Sequence, residues 1–164
     1  PAGLERLEKT ESSSFSCDLR KWWNIMEAYE NGGHAYHATM PTDSLRRFRD
    51  IMKETEEYGF EKVRAEQQEL GDKVRAMLVA KGIKSVAGDG FQAPGVVVSY
   101  TDDKGIQTGK KFAELGFQIA AGVPLQCDEP EDYQSFRLGL FGLDKLHNIG
   151  RTVEKLEKAL AAIL

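Results

Sequence analysis

The stretch Gly82-Ile83-Lys84-Ser85-Val86, followed further on by Val96-Val97-Val98-Ser99-Tyr100, is where the chain changes period. Before it, apolar residues recur every three or four positions. Here they run together or alternate, and β-branched residues dominate, which is the pattern of strands. A Gly/Pro-rich turn region separates the two runs. Working back, Leu45, Phe48, Ile51, Met52 and Tyr58 keep helical spacing from a Thr42-Asp43-Ser44 cap. Gly59 interrupts that pattern. It resumes at Val63, Leu70, Val74, Met77 and Leu78 and stops at Gly82. Working forward, Thr101-Asp102-Asp103-Lys104-Gly105 reads as a turn, residues 106–115 as a short helix, Phe117 to Ala120 as a third strand and Phe136 to Leu140 as a fourth. The chain ends in one helical stripe, with Leu146, Ile149, Val153, Leu156, Leu160 and Ile163 spaced by three and four.

From residue 42 the order is therefore long helix, two strands, helix, two strands, helix. That order predicts an α/β chain whose layered domain packs helices on one face of a mostly antiparallel sheet. The first forty residues do not fit inside it and read as the tail end of a larger unit. Residues 1–14 lack periodicity and read as loop. Phe15-Ser16-Cys17 reads as a short strand, and Asp18 caps a helix carrying Leu19, Trp22, Trp23, Met26 and Tyr29. Asn31-Gly32-Gly33 stops that helix, and residues 34–41 form a connector.

The composition excludes several classes of function. The 164 residues are 41% hydrophobic and 29% charged, which suits a globular chain with a substantial core. A formal net charge of −4 lacks the basic footprint of a nucleic-acid binder or of a peripheral membrane protein. No apolar run reaches the ~18 residues of a membrane span, and Pro1-Ala2-Gly3-Leu4-Glu5-Arg6 is not a signal peptide. Cys17 and Cys127 form no disulfide framework and no C-x-x-C pair. A reduced, cytoplasmic setting is the expectation.

Two places carry candidate chemistry. In Ala35-Tyr36-His37-Ala38-Thr39-Met40-Pro41-Thr42, two hydroxyls sit just before a helix begins, where unpaired N–H groups attract anions. The bland alternative is that Thr39 caps a turn and Tyr36 packs. In Phe136-Arg137-Leu138-Gly139-Leu140-Phe141-Gly142, an arginine is embedded in an apolar strand. A guanidinium there suits a carboxylate or phosphate held bidentately, and the alternatives are a strand face turned to solvent or a structural ion pair. His34, His37 and His147 offer no third metal ligand at a recognisable spacing. Cys127 lies in a loop beside Asp128 and Glu129, whose charges disfavour a nucleophilic thiolate. Of Trp22 and Trp23, one is expected to pack inward.

Taken in order, these pieces resemble one family, the class V, fold-type I, pyridoxal-phosphate-dependent aminotransferases, in the alanine–glyoxylate and serine–pyruvate branch. Pro1-Ala2-Gly3 is similar to the Pro-Pro-Gly that follows the family's cofactor lysine, and Phe15-Ser16-Cys17-Asp18-Leu19 to its aromatic-x-x-Asp strand end. Tyr36-His37-Ala38-Thr39-Met40-Pro41 is similar to its Tyr-His-x-Thr-x-Pro connector, and Phe136-Arg137-Leu138-Gly139-Leu140-Phe141-Gly142 to its Arg-Ile-Gly-x-x-Gly strand. The resemblance implies that Arg137 grips the α-carboxylate of small amino-acid and oxo-acid substrates. It also implies that Tyr36 and Thr39 reach the phosphate of pyridoxal 5'-phosphate in the neighbouring subunit of a homodimer.

The same resemblance makes residues 1–41 the end of the cofactor-binding large domain and its connector, and 42–164 the C-terminal small domain. The Schiff-base lysine would fall upstream of Pro1, so no catalytic residue is expected in this chain and the chain alone is expected to be inactive. Lys21, Lys81, Lys84, Lys110 and Lys145 do not match the lysine's motif. Two other readings remain open at this level: a non-catalytic domain that binds a partner or a small carboxylate through Arg137, and another class V reaction such as cysteine desulfuration through Cys127. Without the rest of the large domain, apolar surface around Trp22 and Trp23 is expected to be exposed.

Overall fold

A computed structural model describes residues 2–164, so Pro1, the first residue of the Pro-Ala-Gly motif, lies outside the described residues. The described chain is mixed α/β, with eight helices and one three-stranded antiparallel sheet. It divides into two units, Pro1–Arg49 and Asp50–Leu164.

In the first unit, α1 (Ala2–Glu8) replaces the loop expected at the N-terminus. Its residues are mostly good helix formers. Its last carbonyls are satisfied from outside: the Arg20 guanidinium donates to Leu7 O at 3.0 and 3.2 Å and also to Glu8 O. A seven-residue helix shows no periodicity to read, so the sequence hid it. α2 (Leu19–Glu30) starts where expected, with the Asp18 carboxylate accepting from Lys21 N at 3.1 Å. It stops at Asn31-Gly32-Gly33, where Gly32 takes φ +77° and Gly33 N donates to Ala28 O.

The strand expected at Phe15-Ser16-Cys17 is a bend. Ser14 Oγ accepts from Cys17 N, and Trp22 Nε1 donates to Ser16 O at 2.8 Å. These side chains take up the backbone groups that a ladder would have used. Trp22 and Trp23 divide as expected of neighbours on a helix. Trp22 is half-buried with its edge against His37, while Trp23 stays exposed.

α3 (Thr42–Tyr58) begins at Thr42, so Thr42, Asp43 and Ser44 form its first turn and Pro41 O accepts the first helical bond, from Leu45 N. α3 has no buried residue, and Leu45, Phe48, Ile51 and Met52 are all exposed. Gly59, at φ +99°, separates α3 from α4 (Phe60–Ala80). The break is pinned locally, because Tyr58 donates its hydroxyl to Glu66 Oε2 at 2.6 Å and Lys62 Nζ sits 4.0 Å over the Tyr58 ring.

The second unit is built on α4 and the sheet. β1 (Val96–Tyr100), β2 (Ala120–Ala121) and β3 (Ser135–Gly139) stand in the order β1-β3-β2. The register sets Val98 and Ala120 on either side of Arg137. The strand expected at Ile83-Lys84-Ser85-Val86 shrinks to a bridge, Ser85 with Ser99. It still covers the outer edge of β1 through Val86 N to Val98 O and Tyr100 N to Lys84 O. The strand expected at Phe117–Ala120 is realised only as β2. The helix expected at 106–115 is two short ones, α5 (Lys104–Gln107) and α6 (Lys110–Glu114), broken at Gly109 with φ +77°. α5 starts inside the expected turn because the Asp103 carboxylate accepts from Gly105 N and Ile106 N. The terminal stripe divides between α7 (Leu143–Leu146) and α8 (Ile149–Ile163).

The core lies on one face of the sheet. Val97, Phe136 and Leu138 from the strands meet Leu70, Val74 and Leu78 of α4, Phe112 of α6, and Leu156 and Leu160 of α8, all buried. A side-chain period of two turns every second strand residue to that face. The other face carries Val96, Val98, Tyr100, Ala120, Ser135, Arg137 and Gly139; Ser135, at the end of β3, is buried, and the other six are not. Helices on one face of an antiparallel sheet is the architecture expected from the sequence.

Candidate carboxylate and phosphate sites

Arg137 occupies the centre of the uncovered face, on the middle strand. Its neighbours Phe136 and Leu138 point into the core and fix the strand, so the arginine projects from a rigid base. Nε donates to Ala121 O of β2 at 2.9 Å. That one bond restrains the guanidinium plane, and no hydrogen bond among the described residues engages the two terminal nitrogens. Among the described residues no Asp or Glu oxygen lies within ion-pair distance of Arg137. Its partners in register are apolar, Val98 on one side and Ala120 on the other, and the exposed ring of Phe141 lies over Gly139 on the same strand. A half-buried guanidinium with apolar flanks and no anion partner can hold a carboxylate by two parallel N–H···O bonds.

Sequence reasoning found Arg137 but missed the group that holds it. A backbone carbonyl has no sequence signature. The one available signal was Gly122 in Ala120-Ala121-Gly122-Val123-Pro124, since a glycine at a strand end marks a close backbone approach. A Cβ at position 122 would lie 1.7 Å from Ser135 O, so the backbone of residue 122 lies directly against β3.

Tyr36 and Thr39 belong to the first unit. The structure brings their hydroxyl oxygens to 3.3 Å of one another, in the connector just before α3, and both residues are exposed. Two hydroxyls at that separation can both donate to one oxyanion.

The remaining candidates have structural duties. His37 closes the corner made by residues 15–17: its ring lies 4.3 Å from that of Phe15, and Nε2 donates to Phe15 O at 2.9 Å. His147 lies 5.0 Å from the Tyr58 ring. Among the described residues no three His, Cys, Asp or Glu side chains gather as a metal site. No helix among them is long and apolar enough to cross a membrane. Cys17 and Cys127 are exposed and unpaired. A cavity of about 620 Å³, lined by Lys84, Tyr100, Asp103, Tyr133, Gln134 and Phe136 among others, does not include Arg137.

Around Cys127 the loop closes on Glu129. The Glu129 carboxylate accepts from Leu125 N, Gln126 N and Cys127 N at 2.5–2.9 Å, with Gln126 and Asp128 in the left-handed region at φ 58° and 62°. Hydrogen bonds from the Cys127 and Gln126 N–H groups lead in favouring the ionised form and lower the Glu129 pKa from 4.5 to about 2. A depressed carboxyl pKa stabilises the loop above the ordinary value, and that stabilisation disappears as pH falls through the folded value. The amide resonances of Gln126 and Cys127 are therefore expected to titrate with a midpoint near 2, and Glu129→Gln removes the transition. A midpoint near 4.5 in the unaltered chain would show that these N–H groups do not hold the carboxylate.

No protein-family model matches the chain, and no curated protein matches it.

Proposed function

We propose that this chain is the C-terminal part of a pyridoxal-phosphate-dependent class V aminotransferase. It would move an amino group between a small amino acid of the alanine or serine type and an oxo acid such as glyoxylate or pyruvate. The observation that carries the reading is Arg137, a guanidinium on the uncovered face, tethered through Nε and lacking an acidic partner among the described residues. Its role is to fix the substrate carboxylate so that the remaining bonds at Cα hold one orientation, which is a positioning effect.

The exposed hydroxyl pair of Tyr36 and Thr39 suits a phosphate, and these two residues would hold that of the cofactor in the partner subunit of a homodimer. Pyridoxal phosphate, when bound, supplies an electron sink for the charge that develops at Cα. The lysine that attaches the cofactor would come from the preceding part of the full-length enzyme.

The test is an assay of the full-length protein with L-alanine or L-serine as donor and glyoxylate or pyruvate as acceptor. Transamination accompanied by visible cofactor absorbance is expected. Full-length protein that carries no pyridoxal phosphate and transfers no amino group would defeat the proposal.

A further inference from the structure

We infer that Gly122 is a positioning residue, which sets the aim of the Arg137 guanidinium by allowing the backbone of β2 to lie close enough for Ala121 O to hold Arg137 Nε. The inference rests on the reading of Arg137 as a carboxylate clamp and adds the device that aims it.

An arginine on a sheet face has four side-chain torsions and, unless tied, sweeps a wide volume. Holding a carboxylate with both nitrogens of one edge requires the guanidinium plane to be fixed as well as its charge to be near. Here the bond from Nε to Ala121 O, at 2.9 Å, is the tie. Its acceptor belongs to β2, which has only two residues, Ala120 and Ala121, and among the described residues pairs only with β3. So short a strand is placed by its immediate neighbour in the chain.

That neighbour is Gly122, which touches β3 at Ser135. A Cβ there would lie 1.7 Å from Ser135 O, 2.4 Å from its carbonyl carbon and 2.7 Å from Oγ. Two of these atoms are backbone, on the strand that carries Arg137, so neither can swing aside as a flexible side-chain end would. Gly122 N also donates to Gln107 O at 3.2 Å, which fixes the residue from its other side. Any side chain at 122 must push the end of β2 away from β3. Ala121 O moves with it, and Nε loses its acceptor. The charge of Arg137 survives such a change, while the aim of its outer edge does not. Gly122 itself never needs to touch substrate.

The test has two parts. In ¹H–¹⁵N spectra of the chain, the Arg137 Hε is expected to exchange at least about tenfold more slowly than that of a free arginine side chain, as an occupied donor should. Gly122→Ala is expected to abolish that protection. In the full-length enzyme, Gly122→Ala is expected to raise KM for the carboxylate substrate about tenfold, with kcat within twofold. Because Gly122→Ala can also impair folding, the Hε exchange rate of the unaltered chain serves as the second measurement, since it reads the tie to Ala121 O without any substitution.

Free exchange of Hε in the unaltered chain overturns the inference, as does protection that survives Gly122→Ala. If instead Arg137→Leu leaves KM unchanged, the carboxylate reading itself fails and the inference goes with it. A loss of Hε protection in Gly122→Ala without any change in KM overturns the inference alone.

Discussion

Phe136→Ala is expected to lower the stability of the second unit by about 3–5 kcal/mol, as removal of a buried phenyl ring commonly does. Phe136 is 1% exposed and tilts against Phe112 with ring centroids 6.0 Å apart. It stands on the central strand, so the cavity opens where the sheet meets the helices, and strands held on both sides collapse poorly into a void. Domains are stable by about 5–15 kcal/mol, so the change is a large fraction of the whole. In urea, the midpoint should fall by about 1–3 M. Phe141→Ala is the matched control. Its ring is as large but 63% exposed, and its loss should change stability by no more than about 0.5 kcal/mol. Equal midpoint shifts in the two variants would mean that the core does not lie on the Phe136 face.

One residue further on, Arg137→Leu is expected to leave the urea midpoint almost unchanged and to remove most of the proposed activity. Deleting one partner of a hydrogen-bonded charge pair costs about 2–5 kcal/mol of binding. That corresponds to a fall in kcat/KM of about 30-fold to a few thousand-fold. The carboxylate is held before and during the reaction, so most of the loss should appear in KM. Full activity in Arg137→Leu would exclude this side chain as the substrate clamp. The pair of variants separates fold from function at adjacent positions, because a strand sends consecutive side chains to opposite faces.

Residues 136 and 137 also show why parts of the molecule were legible in the sequence and others were not. A charged residue inside an apolar strand is a visible anomaly, and its face follows from counting by two. Helix stops were equally legible where a glycine takes positive φ, as at Gly32 and Gly59. The Asp18 cap and the sheet strands β1 and β3 were found because runs of five or more residues carry a period. What escaped were segments too short to carry one. α1 depends on the Arg20 side chain, which lies outside it. Residues 15–17 spend their backbone groups on Ser14, Trp22 and His37. β2 depends on a glycine contact with a strand that lies further along the chain. The proposed clamp was legible as a residue type, and its aim was not, because the aiming group is a carbonyl common to every residue.

The short segment that shields the outer edge of β1 has a consequence for how the chain survives its own synthesis. Val96-Val97-Val98-Ser99-Tyr100 is uncharged, contains three valines and no proline, and so has the composition of a self-associating strand. β3, its main partner, is completed only after the roughly 40 residues that run from Tyr100 to Gly139 have been added. At 5–20 residues per second that takes about 2–8 s on the ribosome. Throughout that interval the strand has one neighbour already made, residues 84–86, which offer it two backbone hydrogen bonds along a single edge. The charges that come immediately after it, Asp102, Asp103 and Lys104, act as gatekeepers against pairing with another nascent copy. The bridge at Ser85 thus acts as a temporary cover whose importance is greatest before the sheet exists.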